Sequence, residues 1–183
     1  MGRRPNPQRK IEVLEEVTAH ILERGLHQTP MRALANDLGT STYTFVYHFG
    51  SKDGMLRAVL DRVADQHREA MRALATTTRG TIGERICTYW VWSTAEPQLA
   101  VTSLVIDALS LANVDPELYG SAASRYVETL EEFLGGECAA TGVDPATAGP
   151  LATAIVGLQL WFIATPDERA AEHRLKDLVQ ALT

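Results

Sequence analysis

Cysteine is nearly absent from this chain. Cys87 and Cys138 stand far apart and neither sits in a Cys-x-x-Cys spacing, which excludes a disulfide framework and a thiolate zinc site and leaves two free thiols. His20, His27, His67 and His173 are scattered without metal-ligand spacing, so no metal site is expected. No Gly-rich phosphate loop, His-x-x-x-His pair, paired Glu-x-x-His or nucleophile elbow is present, so no cofactor is expected and an all-α enzyme is the poorest of the functional readings. Sustained two-residue alternation is missing too, and with it the signal for strands. The first ten residues are basic, carry two prolines and precede no apolar core, so they do not form a secretory signal. The longest apolar stretch, Leu151 to Ala164, contains Gln159 and reads as too short to span a bilayer; the expectation is a cytoplasmic protein with no membrane partner.

What is present is a soluble, globular composition, 45% apolar and 22% charged over 183 residues. The net charge of −6 is unevenly placed. Residues 1–79 hold 12 Lys and Arg against 9 Asp and Glu, a balance of +3, whereas residues 80–183 hold 5 against 14, a balance of −9. A basic front and an acidic back suit a chain of which only the front meets a polyanion.

Apolar residues recur at helical period nearly throughout, so the fold class is all-α. Ile11, Leu14, Val17, Thr18, Ile21 and Leu22 form a stripe on a first helix that Gly25 ends. Thr29 and Pro30 read as the cap and first residue of a short helix carrying Met31, Leu34, Ala35 and Leu38 inward, with Gly39 at its end. Ser41 caps a second short helix through about His48, and Gly50 with Ser51 stops it and starts the next. The Thr, Arg and Gly cluster from Thr76 to Gly83 marks a boundary, giving an N-terminal domain over 1–52, a connecting helix over 53–79 and a second domain over 80–183. Further helices are expected over Ile82–Ala95 and Gln98–Ala112, and after Asp115-Pro116, Asp144-Pro145 and Thr165-Pro166, with Thr165 and Glu168 at capping-box spacing.

The informative segment runs from Met31 to Lys52. In a helix-turn-helix the second helix crosses the first steeply, which needs a left-handed residue at the first helix's end and then a new cap; Gly39 and Ser41 fill those places. Phe45 and Phe49 face the core with Leu38, leaving Thr42, Tyr43, Thr44, Tyr47 and His48 as hydrogen-bonding side chains on the outer side. Such a helix fits the major groove, where hydroxyls, rings and imidazoles meet base edges, thymine methyls and phosphates. Arg3, Arg4, Arg9 and Lys10 form a basic N-terminal arm, and Lys52 stands ready for a phosphate.

The order Glu23-Arg24-Gly25, then Thr29 through Ser41, then Phe45 through Leu56 with its His-Phe-Gly-Ser-Lys core, resembles the DNA-binding domain of the tetracycline-repressor (TetR) family over about residues 9–60. The remainder matches only in length and helical character. The resemblance implies a homodimer whose two recognition helices read a palindromic double-stranded operator, and a helical second domain through which a small effector releases it. It carries the contact set onto Arg32, Ser41, Thr42, Tyr43, Thr44, Tyr47, His48 and Lys52. One position departs: where the family usually has a phosphate-binding tyrosine, two residues before the histidine, this chain has Val46, and its tyrosine is Tyr47.

The resemblance also puts a dimer interface on the last paired helices, about Pro116–Ala140 and Pro145–Ala164. Ala148, Ala152, Ile155, Val156, Gly157 and Leu160 supply a face of small and apolar side chains there, more apolar than a single-subunit surface helix requires, with a central core helix as the alternative. Tyr89, Trp90, Trp92, Leu104, Tyr126, Trp161 and Phe162 concentrate the bulky groups of the second domain, either as plain core or as the lining of a pocket for a lipophilic or aromatic effector. A helix-turn-helix acting through protein contacts remains the alternative to DNA binding.

Overall fold

The computed structural model describes residues 7–26 and 30–181, and within these the secondary structure is helical with no strand. Helices α1 (Pro7–Arg24), α2 (Met31–Asp37) and α3 (Thr42–Phe49) build a small head, and α4 (Lys52–Thr77) leads from it into the rest of the chain. There α5 (Ile82–Thr94), α6 (Gln98–Leu111), α7 (Pro116–Thr141), a 3-10 turn (Pro145–Thr147), α8 (Ala148–Ala164) and α9 (Glu168–Gln180) follow.

Capping side chains start most of these helices. Asp115 Oδ1 accepts from the Leu118 amide at 3.0 Å ahead of α7, and Asp144 does the same for Ala146 at 2.9 Å. The expected capping box at Thr165 and Glu168 does not form. Thr165 Oγ1 instead donates back to the Trp161 carbonyl at 2.8 Å, closing α8, and Asp167 caps α9 by accepting from the Ala170 amide at 3.0 Å. The capping box lies at Thr81 and Glu84, where the threonine amide donates to the carboxylate at 2.8 Å. That bond, on an exposed side chain, lowers the Glu84 pKa.

Two clusters of apolar side chains make the core. The first joins the head, through Val17, Ile21, Leu34, Phe45 and Val59, to Leu104, Val105 and Ala108 of α6 and Tyr126 of α7. The head therefore shares its core with the helices behind it. The second gathers Tyr89, Phe133, Leu151, Ile155 and Leu175 from α5, α7, α8 and α9. Helix α7 packs against α4, α5, α6 and α8, so it is the central helix of the subunit. Within α1 the buried stripe is Val13, Val17 and Ile21; Ile11, assigned inward from periodicity, is 52% exposed.

The apolar helical segment at the end of the second domain is longer than its Leu151–Ala164 core suggests. From Pro145 to Ala164 it is 20 residues, long and apolar enough by length and composition to cross a membrane. In this fold it lies against α7 and α9 and inserts Gln159 into the interior, where both the oxygen and the nitrogen of the side-chain amide are hydrogen-bonded.

Candidate nucleic-acid interface

The turn between α2 and α3 is fixed by its own backbone. Gly39 adopts φ +59°, a conformation that costs other residues strain, and its amide donates to the Asn36 carbonyl at 3.1 Å while Thr40 reaches back to Ala35 at 2.8 Å. Ser41 then turns extended and caps α3, its hydroxyl accepting from the Thr44 amide at 3.3 Å. Gly50, at φ +80°, ends α3, and Ser51 caps α4 through the Gly54 amide at 3.0 Å. Glycine at position 54 has a steric cause, because a Cβ there would collide with the Phe49 carbonyl oxygen.

Between these fixed ends α3 buries one residue completely, Phe45, and turns the opposite side out. Tyr43 is 72% exposed, Tyr47 49% and Val46 46%, and the two tyrosine rings lie side by side with centroids 6.1 Å apart. His48 sets its ring edge-on to Tyr47 at 5.0 Å. Neighbours on the same head include the exposed cations Arg32 and Lys52, with Asp53 beside the latter. The arrangement is a ridge of rings and one aliphatic group on a head that also exposes two cations, a chemistry that suits base edges and thymine methyls together with phosphates.

The residues expected to form the contact face do not all stand equally free. Tyr43 and Tyr47 project outward, Ser41 is exposed but occupied as a cap, and Thr42 and His48 are half-buried. The Thr44 hydroxyl accepts from Thr40 Oγ1 at 3.1 Å and lies 3.1 Å from Ser41 Oγ, so it belongs to the turn. Arg3 and Arg4 lie outside the described residues. Arg9 and Lys10 are already helical and do not form a loose arm: Arg9 pairs with Glu12 at 3.1 Å and Glu16 at 3.3 Å, and Lys10 Nζ sits 5.7 Å from the centre of the Phe49 ring. Val46 was missed as a surface group because its register was read only for a missing tyrosine; its position three residues after Tyr43 on one helix face is the signal that would have found it.

Ion pairs hold the head together. Asp37 at the end of α2 lies 3.7 Å from His20 and 3.8 Å from Arg24, and Arg62 of α4 binds Glu15 of α1 at 2.7 Å. Farther back, Arg125 of α7 pairs with Asp61 and Asp65 of α4, tying the helix that leaves the head to the centre of the second domain.

In that domain the bulky residues separate. Tyr89 and Tyr126 are buried and share Gln159, which donates to Tyr89 Oη at 3.1 Å and accepts from Tyr126 Oη at 3.0 Å. Trp92 and His67 pack beside them, Leu104 belongs to the first core cluster, and Trp90 meets Phe162 edge-on. Trp161 faces outward under the Arg174 guanidinium, 4.5 Å from its ring centre. Burial raises the pKa of both tyrosines, most strongly that of Tyr126. Ala148, Ala152 and Ile155 point into the subunit's own core and are closed to any partner, whereas Gly157 and Leu160 are exposed and Val156 is half-buried.

Residues 15–59 match the model of the bacterial regulatory proteins of the tetR family. No curated protein matches the chain in sequence. Solved structures match over nearly the whole length. The TetR transcriptional regulator from Legionella pneumophila is 20% identical with a TM-score of 0.75, covering 100% of both chains. The reduced form of NemR from E. coli is 16% identical with a TM-score of 0.78, covering 95% of this chain and 97% of that one. The multidrug binding protein EbrR complexed with imidazole is 18% identical with a TM-score of 0.71, covering 100% and 94%.

Proposed function

We propose that this chain, whose residues 15–59 match the tetR family model and whose fold is like that of solved TetR-family regulators, binds a palindromic DNA operator as a homodimer and represses transcription until a small effector releases it. The observation that carries this reading is the outward ridge of Tyr43, Val46 and Tyr47 on a capped helix whose one fully buried side chain, Phe45, anchors it to the head. No described residue covers that ridge, and the same head exposes Arg32 and Lys52, which carry the charge that phosphates require. The protein acts in the cytoplasm, where its DNA lies, and has no catalytic role.

Dimerisation is supported by the outer side of α8. Leu160 is 51% exposed there, Gly157 has open space above it, and Gly157 borders a groove toward α9 lined by Trp161 and Arg174. A second copy covering this face would remove an apolar helix surface from water, the usual reason for a two-fold interface. Response to a small molecule is supported by the likeness to EbrR, a multidrug binding protein solved with imidazole.

The acidic total charge keeps a second reading in play, in which the head docks on another protein. Selecting bound fragments from random or genomic DNA with the full chain separates the two. The regulator reading expects an inverted repeat with half-sites about one helical turn apart and affinity that falls steeply with salt. Absence of any enriched sequence, or a monomer by light scattering at micromolar concentration, would overturn it.

A further inference from the structure

Between the second half of α4 and the middle of α7 lies an open cavity of about 190 Å³. Its inner wall is Met71 and Phe133, and the Phe133 ring rests against Tyr89 at 5.5 Å, so that wall is held by the buried aromatic cluster. The charges around it are unbalanced. Glu137 is matched by Arg85 of α5 in a buried ion pair, and Glu132 is exposed, while Arg68 and Arg72 make no ion pair or hydrogen bond with any described residue. The Arg68 Nε is moreover shut off from solvent without an acceptor, an N–H group left waiting for one.

Gly136 is the second observation. It stands on the lining, in the body of a long helix where glycine is unfavourable, and a Cβ built there meets nothing within 4 Å. Packing does not require glycine at Gly136, and a Cβ at its neighbour Gly135 would meet the Ala148 methyl at an ordinary contact distance of 3.8 Å. Its place on the lining makes it the position at which an added side chain can fill the cavity.

We propose that this cavity is the effector site and that its ligand is a small aromatic carboxylate, the ring lying on Phe133 and Met71 and the carboxylate accepting from the Arg68 and Arg72 guanidinium groups. A guanidinium presents paired N–H donors that match a carboxylate's two oxygens, and the apolar wall favours a flat body over an inorganic anion. The volume lies below the roughly 300–1,000 Å³ of sites for drug-sized molecules, which suits a single ring. The inference rests on the effector-responsive reading above and names the chemistry that reading leaves open.

The test is calorimetric titration of the full chain with 4-chlorobenzoate and with its neutral amide. Saturable binding of the acid at one site per chain is expected, at least tenfold tighter than the amide, with Arg68→Gln removing most of that preference. Gly136→Leu should abolish binding by filling the space while melting no lower than the parent chain, since leucine replaces glycine in a helix. Should that variant fail to fold, the acid-to-amide ratio in Arg68→Gln still decides. Equal affinity for acid and amide, acid binding indifferent to Arg68→Gln, or no saturable heat would each overturn the proposal. Operator binding by the parent chain without 4-chlorobenzoate is measured alongside; its absence would count against the regulator reading, whereas operator binding with no acid binding would count against this site alone.

Discussion

His67 stacks on Tyr126, the ring centres 5.0 Å apart and the planes 30° from parallel. The imidazole is 2% exposed, its Nδ1 lies 2.9 Å from the Gln98 amide nitrogen, and its Nε2 has no partner. Burial lowers its pKa to about 4 from an ordinary 6.5, because a charged ring in this apolar setting lacks the hydration that would stabilise it.

The direction of the pH effect follows. Between pH 6.5 and 4 the unfolded chain takes up a proton at His67 that the folded chain refuses, so folding stability falls with pH through that window and levels off below it. By pH 4.5 the loss is about 2–3 kcal/mol relative to neutral pH. Urea unfolding at pH 7.5 and 4.5 should show a correspondingly smaller drop in His67→Gln than in the parent chain; equal drops would show that the ring is not kept neutral.

Gln159 serves two buried phenols at once. Gln159→Leu removes the acceptor of Tyr126 and the donor to Tyr89, and is expected to destabilise the fold by about 1–3 kcal/mol. Adding Tyr126→Phe to that variant should recover part of the loss, because the hydroxyl left without an acceptor is then gone. A double-mutant cycle on thermal or urea unfolding measures this coupling.

Arg85 and Glu137 form an ion pair that is nearly closed to solvent on the glutamate side, and Arg85 Nε also donates to the Gly80 carbonyl at 2.8 Å. Arg85→Met strands the carboxylate and should cost about 3–5 kcal/mol, whereas Arg85→Met with Glu137→Met should be much nearer the parent chain. The ordering of urea midpoints checks this: the single variant lowest, the double variant above it.

On the head, exposure separates recognition from stability. Tyr43→Ala and Tyr47→Ala should weaken the selected operator by about 1–3 kcal/mol in a gel-shift or fluorescence titration and leave the melting temperature almost unchanged. Lys52→Ala should weaken all DNA evenly and reduce the salt dependence by about one charge. Thr44→Ala, whose hydroxyl is engaged with Thr40 and Ser41, should act chiefly through stability, and Phe45→Ala should unfold the head at a cost of about 3–5 kcal/mol.

Helix ends, turns and the recognition motif were legible in the residues themselves. Gly25, Gly39 and Gly50 occupy positive-φ positions at helix ends, and Ser41, Asp115 and Asp144 cap as their chemistry demands, because each such decision is made among residues within about four positions of one another. The outward placement of Tyr43 and Tyr47 follows from the same short-range period once Phe45 is assigned inward.

Other features needed the packed chain. Only tertiary structure turned Ile11 out and Val13 in, drew Ala148, Ala152 and Ile155 into the subunit's own core, paired Arg85 with Glu137, and enclosed His67 and the Arg68 Nε without full partners. A helical stripe broad enough to fill one face does not say which of its edges will be covered, since that depends on the angle at which a distant helix crosses it. Caps and turns are local free-energy choices and can be read along the chain; burial, long-range charge pairing and cavities arise between helices far apart in sequence and exist only after those helices meet.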